Sequence, residues 1–267
     1  VILKLGLTAA PPLRLASMRL LVGGLVILAW AVVTGQLRGL RMAPHEWRPL
    51  IVVGFLLTAQ IGALNIGTNL TTAAHAAIVL NLYAVHTVVL AHFLIPGDRL
   101  TPRRLGGVSI AYAGIVLLFG RQLAGGGSDT LLGDTIVFVS AFLLAERTVY
   151  LARAVRSLDP IKLLLAQAVM GMTLFALLSL VFEPQPTQWT RGLAFSVAFQ
   201  GVVIAGFNFT VNLWLLARHR PSALSAFFLT QPIFGVVIAA IVAGDPFTVD
   251  LLVASAAVAA GIGLTSR

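Results

Sequence analysis

The chain has 267 residues, of which 58% are hydrophobic and 10% charged, and it carries a net charge of +9; its mean hydropathy is +0.97. Soluble domains carry about 25% charged residues, so these values exclude a water-soluble fold and define an all-α integral membrane protein. The basic excess forms no face but falls in the gaps between apolar runs, where headgroups and loop bias explain it, which excludes nucleic acid and leaves membrane lipids as the surroundings. Without cysteine there is no disulfide framework and no thiolate metal site, and no metal or cofactor is expected.

In chain order, Val1 to Leu7 is too short to span and ends in the turn Thr8-Ala9-Ala10-Pro11-Pro12. It reads as the tail of a first helix only partly present here, since a crossing needs roughly 20 apolar residues. Apolar runs follow at about 13–34, 49–70, 74–95, 102–120, 131–152, 161–182, 192–216, 221–243 and 249–265, which predicts nine visible spans and part of a tenth. Loops alternate in charge. One set carries Arg38, Arg41, Arg48, Arg99, Arg103, Arg104, Arg153, Arg156, Lys162, Arg218, Arg220 and Arg267; the other carries Lys4, Arg14, Arg121 and Arg191. Basic residues stay inside, so both termini are expected in the cytoplasm.

One turn occurs twice. Gly97-Asp98-Arg99-Leu100-Thr101 returns 147 residues later as Gly244-Asp245-Pro246-Phe247-Thr248, and the same offset pairs Gly54 with Gly201 and Asn65 with Asn212. Gly suits a left-handed helix end, and Thr before a first helical turn suits an N-cap, so the turn reads as punctuation rather than as a catalytic site. Five spans separate the copies. An odd number puts the second copy on the opposite face, predicting two inverted five-helix repeats, 1–120 and 131–267, in a ten-helix bundle.

The polar residues inside spans are few. Helix 49–70 aligns Gly54, Thr58, Gly62, Asn65 and Asn69 on one face, answered on 192–216 by Gly201, Ala205, Asn208 and Asn212. The glycines read as close packing; for Asn65, Asn208 and Asn212, helix cross-bonds and a water-filled cavity are both open readings. Helix 74–95 puts His75 and His86 on one face and Asn81 and His92 on another, with His75 and Asn81 the cavity candidates. Glu146 and Arg147 lie inside 131–152, where a structural ion pair and a solute-binding charge are both open, and Tyr150 follows Glu146 by one turn. Pro232 predicts a kink in 221–243 that frees the Phe228 carbonyl beside Ser225, Thr230 and Gln231. Helices 102–120 and 249–265 carry Gly106-Ile110-Gly114 and Ser255-Ala259-Gly263 at four-residue spacing and read as peripheral packing helices.

The paired spans, Leu5-Gly6-Leu7-Thr8-Ala9-Ala10-Pro11-Pro12-Leu13 before Arg19, the two Gly-Asp turns, Gly133-Asp134 opening the second half and Gln231-Pro232 resemble the EamA-type drug/metabolite transporters along the whole chain. The usual acidic residue of the turns in that family is Glu, here Asp98 and Asp245; Val85 stands where Pro is frequent, and Glu146-Arg147 replaces an apolar stretch. The resemblance implies a multi-pass inner-membrane exporter of small metabolites, amino acids among them, working by alternating access around a central cavity. Asn65, His75, Asn81, Glu146, Tyr150, Asn208, Asn212 and Gln231 are the expected substrate-binding residues. A passive channel and an organic-phosphate or nucleotide-sugar antiporter are the alternatives. An intramembrane enzyme is the weaker rival, because clustered carboxylates for metal-bound diphosphate and a Gly-x-Ser-x-Gly elbow are both missing from the sequence.

Overall fold

The computed structural model describes residues 1–36, 42–124, 128–224, 230–246 and 248–265. Among these the chain is helical without strands: α1 (Ile2–Leu7), α2 (Pro12–Val33), α3 (Trp47–Leu70), α4 (Ala73–Leu94), α5 (Pro102–Ala124), α6 (Ser128–Ala154), α7 (Pro160–Phe182), α8 (Arg191–Ala198), α9 (Phe209–Arg218), α10 (Pro221–Leu224), α11 (Gln231–Ile238) and α12 (Val249–Thr265). A π-helical stretch, Phe199–Asn208, joins α8 to α9, and another, Ala239–Ala243, extends α11. Among the described residues seven helices are long and apolar enough to cross a membrane, and two shorter apolar helices, Gln231–Ala243 and Val249–Thr265, accompany them. Large apolar side chains stand on the surface, Phe93 74% exposed, Ile241 77% and Leu180 79%, an arrangement tolerable in lipid and not in water. The protein is multi-pass.

The chain forms two compact units that do not follow the two sequence halves. One comprises Val1, Ile66–Val149 and His219–Arg267; the other comprises Ile2–Asn65 and Tyr150–Arg218.

In the second of these units, Leu13, Ala16 and Leu20 of α2, Leu57 and Ile61 of α3, Phe175 of α7 and Ala205 of the π-helical stretch form one apolar cluster. Its two ends are pinned by charge. At one, Lys162 Nζ reaches both Glu46 carboxylate oxygens at 2.8 Å. At the other, Glu183 at the end of α7 accepts the backbone N–H groups of Leu13 at 2.7 Å and Arg14 at 2.9 Å. These are orphan donors of the first turn of α2, which Pro12 opens, and a carboxylate suits that positive helix end. Arg14 returns the contact, donating to the carbonyls of Glu183 and Gln185 at 2.7 Å each.

In the other unit α5 and α12 touch backbone to backbone. A Cβ on Gly107 would sit 2.7 Å from the Gly261 carbonyl, and one on Gly114 would sit 2.7 Å from Ala257 Cβ. The contact stripe is therefore Gly107, Ala111 and Gly114, one residue over from the expected Gly106-Ile110-Gly114 on α5, because Gly106 has nothing within 4 Å. A second close approach joins the end of α3 to the start of α6: a Cβ on Gly133 would lie 2.9 Å from the Gly67 carbonyl, and one on Gly67 2.8 Å from the Gly133 carbonyl.

Of the expected helix over 221–243 the structure describes α10 and α11, and residues 225–229 between them lie outside the described residues. Pro232 sits in the first turn of α11, where its missing N–H costs no hydrogen bond, rather than in a helix interior. Ser225 and the Phe228 carbonyl of the expected kink lie outside the described residues, as do Arg38, Arg41 and Arg267 of the loop charge pattern.

Candidate functional site

The duplicated turn is more than punctuation. Gly97 (φ 81°) and Gly244 (φ 70°) hold the left-handed geometry that Gly permits, and Thr101 and Thr248 accept from the first turns of the following helices, as N-caps do. The aspartates, however, reach across the unit. Asp98 Oδ2 accepts from Ser222 Oγ, at the start of α10, at 2.6 Å, and Asp98 Oδ1 from Arg104 Nη1 at 2.8 Å. Arg220 Nη1 adds a bond to the Gly97 carbonyl at 2.8 Å. In the second copy, Asp245 Oδ2 accepts the backbone N–H of Ala74, in the first turn of α4, at 2.8 Å. Positions 74 and 75 are offset by 147 from 221 and 222, so each copy of the turn holds the start of the equivalent helix from the other half. Because the Asp98 turn follows the end of α4 and Asp245 meets its beginning, the two clasps lie at opposite ends of one 22-residue helix.

Beside the Asp245 clasp lies a polar cluster. Asp134, in the second turn of α6, is wholly buried; Thr71 Oγ1 donates to its Oδ1 at 2.6 Å, and His75 Nδ1 lies 2.7 Å from its Oδ2. The Gly67–Gly133 approach brings the two backbones close enough for these short side chains to meet. Thr72 caps α4 by accepting the His75 backbone N–H. His75, one of the expected substrate-binding residues, thus lies against a buried carboxylate.

The other expected residues divide in two. Asn65 and Asn81 are buried; Asn65 Nδ2 donates to the Pro12 carbonyl at 2.8 Å and Asn81 Nδ2 to the Ala77 carbonyl one turn back at 2.7 Å, leaving the Oδ1 atom of each without a partner among the described residues. In this arrangement Asn65 ties α3 to α2. One turn below it, the surroundings are the dry cluster of Leu57, Ile61, Phe175 and Ala205. Glu146, Tyr150 and Asn212 are partly exposed, Asn208 and Gln231 exposed, and none of these five makes a side-chain hydrogen bond among the described residues. The helical glycines of α3 and α8–α9 pack as expected: a Cβ on Gly54 would strike Met170 of α7, and one on Gly201 would strike Val22 of α2.

Two buried groups are not flagged by sequence spacing as site residues. Arg19, about two turns into α2, is 5% exposed; its Nη1 donates to Gln200 Oε1 at 2.8 Å and its Nη2 has no partner among the described residues. Gln200 opens the π-helical stretch and donates to Ser196 Oγ at 2.8 Å. Irregular turns of this kind occur often at functional sites, and a guanidinium in a span without a carboxylate is costly. His86, 2% exposed, sits among Tyr112, Phe138 and Phe142 with ring centroids 5.6, 5.3 and 5.8 Å away. Between α3 and α7 a groove of about 520 Å³ is lined by Phe55, Thr58, Ala59, Leu174, Leu177, Leu178 and Val181. Its single hydroxyl already donates to the Gly54 carbonyl, so it offers a surface for hydrocarbon and not for a polar solute.

Comparison with known proteins identifies the class to which this set of membrane helices with a clasped duplication belongs. The model of the EamA-like transporter family matches residues 1–120 and again 131–267, and the chain belongs to that family, within the drug/metabolite transporter superfamily. It is similar to an uncharacterized transporter, YoaV, of Bacillus subtilis, at 20% identity over 98% of this chain and 89% of that one. An uncharacterized transporter of Archaeoglobus fulgidus is 25% identical over 90% of this chain and 82% of its own. A further uncharacterized Bacillus subtilis transporter, YvbV, is 26% identical over 93% and 80%. A solved crystal structure shares the fold with a TM-score of 0.75 at 20% identity, covering 99% of this chain and 94% of that one. The family and the names of these relatives are those of transporters and not of enzymes.

Proposed function

We propose that this transporter exports small polar metabolites, amino acids among them, by alternating access, as ten spans in two inverted repeats over 1–120 and 131–267. Both termini face the cytoplasm of a bacterial inner membrane. The observation that carries the reading is Glu146: a carboxylate in the interior of α6, partly exposed, with no hydrogen bond or ion pair among the described residues. A charge held in a span without a protein partner marks a solute path by default, and a carboxylate suits an ammonium group. Asn212, Tyr150, Asn208 and Gln231, with side chains free to donate and accept, add polar contacts without the cost of further charge. His75, Asn65 and Asn81 complete the proposed substrate-binding set.

Counterflow of labelled amino acids in proteoliposomes tests this. Glu146→Gln is expected to lower flux about tenfold or more while the thermal unfolding midpoint in detergent stays within a few degrees, since no folded-state bond is lost. Unchanged flux in Glu146→Gln removes Glu146 from the path. A second reading, exchange of organic phosphates, is favoured by Arg19, whose unpartnered donor suits an anion. It predicts counterflow with sugar phosphates and none with amino acids.

A further inference from the structure

Two arginines stand on α2, and their surroundings differ. Arg14, near the start of the helix, has acceptors on every side: Nε donates to Ser179 Oγ, Nη1 to the Gln185 carbonyl and Thr187 Oγ1, and Nη2 to the Glu183 carbonyl. Arg19 lies about 8 Å further along the helix. Its guanidinium has one acceptor, Gln200 Oε1, and its Nη2 is buried with no partner among the described residues.

The compact unit that holds Arg19 has no carboxylate to spare for it. That unit contains three, Glu46, Asp159 and Glu183, and each is engaged at a helix end: Glu46 by Lys162, Asp159 by the Ile161 N–H, and Glu183 by the Leu13 and Arg14 N–H groups. The polar chain leading away from Arg19 is neutral. Gln200 Nε2 donates to Ser196 Oγ at 2.8 Å, and Ser196 Oγ donates to the Ile2 carbonyl at 2.7 Å. With its Nε2 directed at Ser196, the Gln200 amide turns its oxygen to the guanidinium. The next residue, Gly201, permits the approach: a Cβ there would lie 3.1 Å from the Arg19 carbonyl oxygen and 2.5 Å from Val22 Cβ.

A buried, unbalanced positive charge inside a span is costly, and such charges mark solute paths. Charge and geometry together narrow the ligand. One guanidinium is neutralised by one negative charge, whereas a phosphate dianion would replace an excess positive charge with an excess negative one. The planar N–H fork of arginine fits the two oxygens of a carboxylate. We propose that Arg19, positioned by Gln200, is a carboxylate-binding residue of this transporter, and that the exported solutes carry a monoanionic carboxylate which it holds. The carboxylate enters as α2 and the π-helical stretch part, since Arg19 is 5% and Gln200 4% exposed in the arrangement described. The proposal rests on the export reading above and adds the acidic group through which the solute is recognised.

The test uses the full chain in detergent and reads the thermal unfolding midpoint with three additives at equal ionic strength. These are a mixture of N-acetylated amino acids, which keep the carboxylate and lack the ammonium group, sodium phosphate, and sodium chloride. A ligand of the folded state raises the midpoint, and the wild-type protein is expected to gain several degrees from the N-acetylated mixture and clearly less from either salt. Gln200→Glu keeps the shape of the amide and sets a carboxylate of the chain against Arg19. It is expected to unfold at a higher temperature than wild type without additive and to lose the gain. Arg19→Gln is expected to lose the gain as well; where it does not fold, Gln200→Glu decides. No gain in wild type, a gain kept in Gln200→Glu or in folded Arg19→Gln, or an equal gain from phosphate or chloride overturns the carboxylate site. A Gln200→Glu midpoint below that of wild type also overturns it, because Arg19 is then already balanced. Counterflow of labelled amino acids in liposomes judges the export reading separately. Absent flux, with the gain present in wild type and lost in Gln200→Glu, ends that reading and leaves the carboxylate site standing.

Discussion

The Asp98 and Asp245 clasps are the same turn built at the two ends of one helix, yet they are not equally tied. At the Asp98 end, Arg104 and Ser222 both donate to one carboxylate and Arg220 donates to the adjoining Gly97 carbonyl. At the other end Asp245 takes, among the described residues, a single backbone N–H, and the neighbouring Asp134 is held by Thr71 and His75. Ser222 and His75 occupy positions related by the duplication, so one residue change gives one copy a hydroxyl and the other an imidazole. Duplication supplies the geometry, and the side chains placed on it decide how firmly each end is tied.

The contrast predicts an order of effects. Asp98→Ala leaves Arg104 and Ser222 without their shared acceptor in a buried site and is expected to cost about 3–5 kcal/mol, read as the largest drop in thermal unfolding midpoint in detergent. Asp134→Ala removes the acceptor of the Thr71 hydroxyl and the partner of His75 Nδ1, and the expected cost is about 1–3 kcal/mol. Asp245→Ala removes one helix-start acceptor while other first-turn bonds remain, and about 1 kcal/mol is expected. An unfolding series in which Asp245→Ala is the most damaging would break the comparison. Smaller still is the split between equivalent amides. Asn65→Leu forfeits the bond to Pro12, about 1 kcal/mol, while Asn212→Leu breaks no protein hydrogen bond and is expected to lower amino-acid flux with little change in stability.

Much of the frame was legible in the sequence for a simple reason: apolar run lengths and basic loops report membrane crossings directly, and the Gly-Asp turn repeats without a gap. Thr101 and Thr248 act as the caps their positions suggest, and the glycines of α3 and α8–α9 pack as small residues do. What the spacing could not reveal is partnership over long distances in the chain. Asp98 reads as a helix-end residue because its neighbours in sequence are one, while its acceptor role toward Ser222 spans 124 positions. Asp134 was visible as an acid just inside an apolar run, and its pairing with His75, 59 positions away, depends on the Gly67–Gly133 approach, which periodicity does not encode. Asn65 carried a helical face pattern that suits a cavity and a helix contact equally, and the Pro12 carbonyl uses it for the second. The π-helical stretch after α8 also escapes an analysis based on a 3.6-residue period.

An inverted repeat puts equivalent turns on opposite faces of the membrane, and cysteine accessibility measures this directly in a cysteine-free chain. Val249, beside the Asp245 clasp, is 73% exposed, and Arg99, beside Asp98, is also exposed. A single cysteine at Val249 is expected to react with an impermeant maleimide added outside intact cells, and one at Arg99 to react only after the membrane is opened. Labelling of both positions from the same side would contradict the inverted repeat and the account built on it.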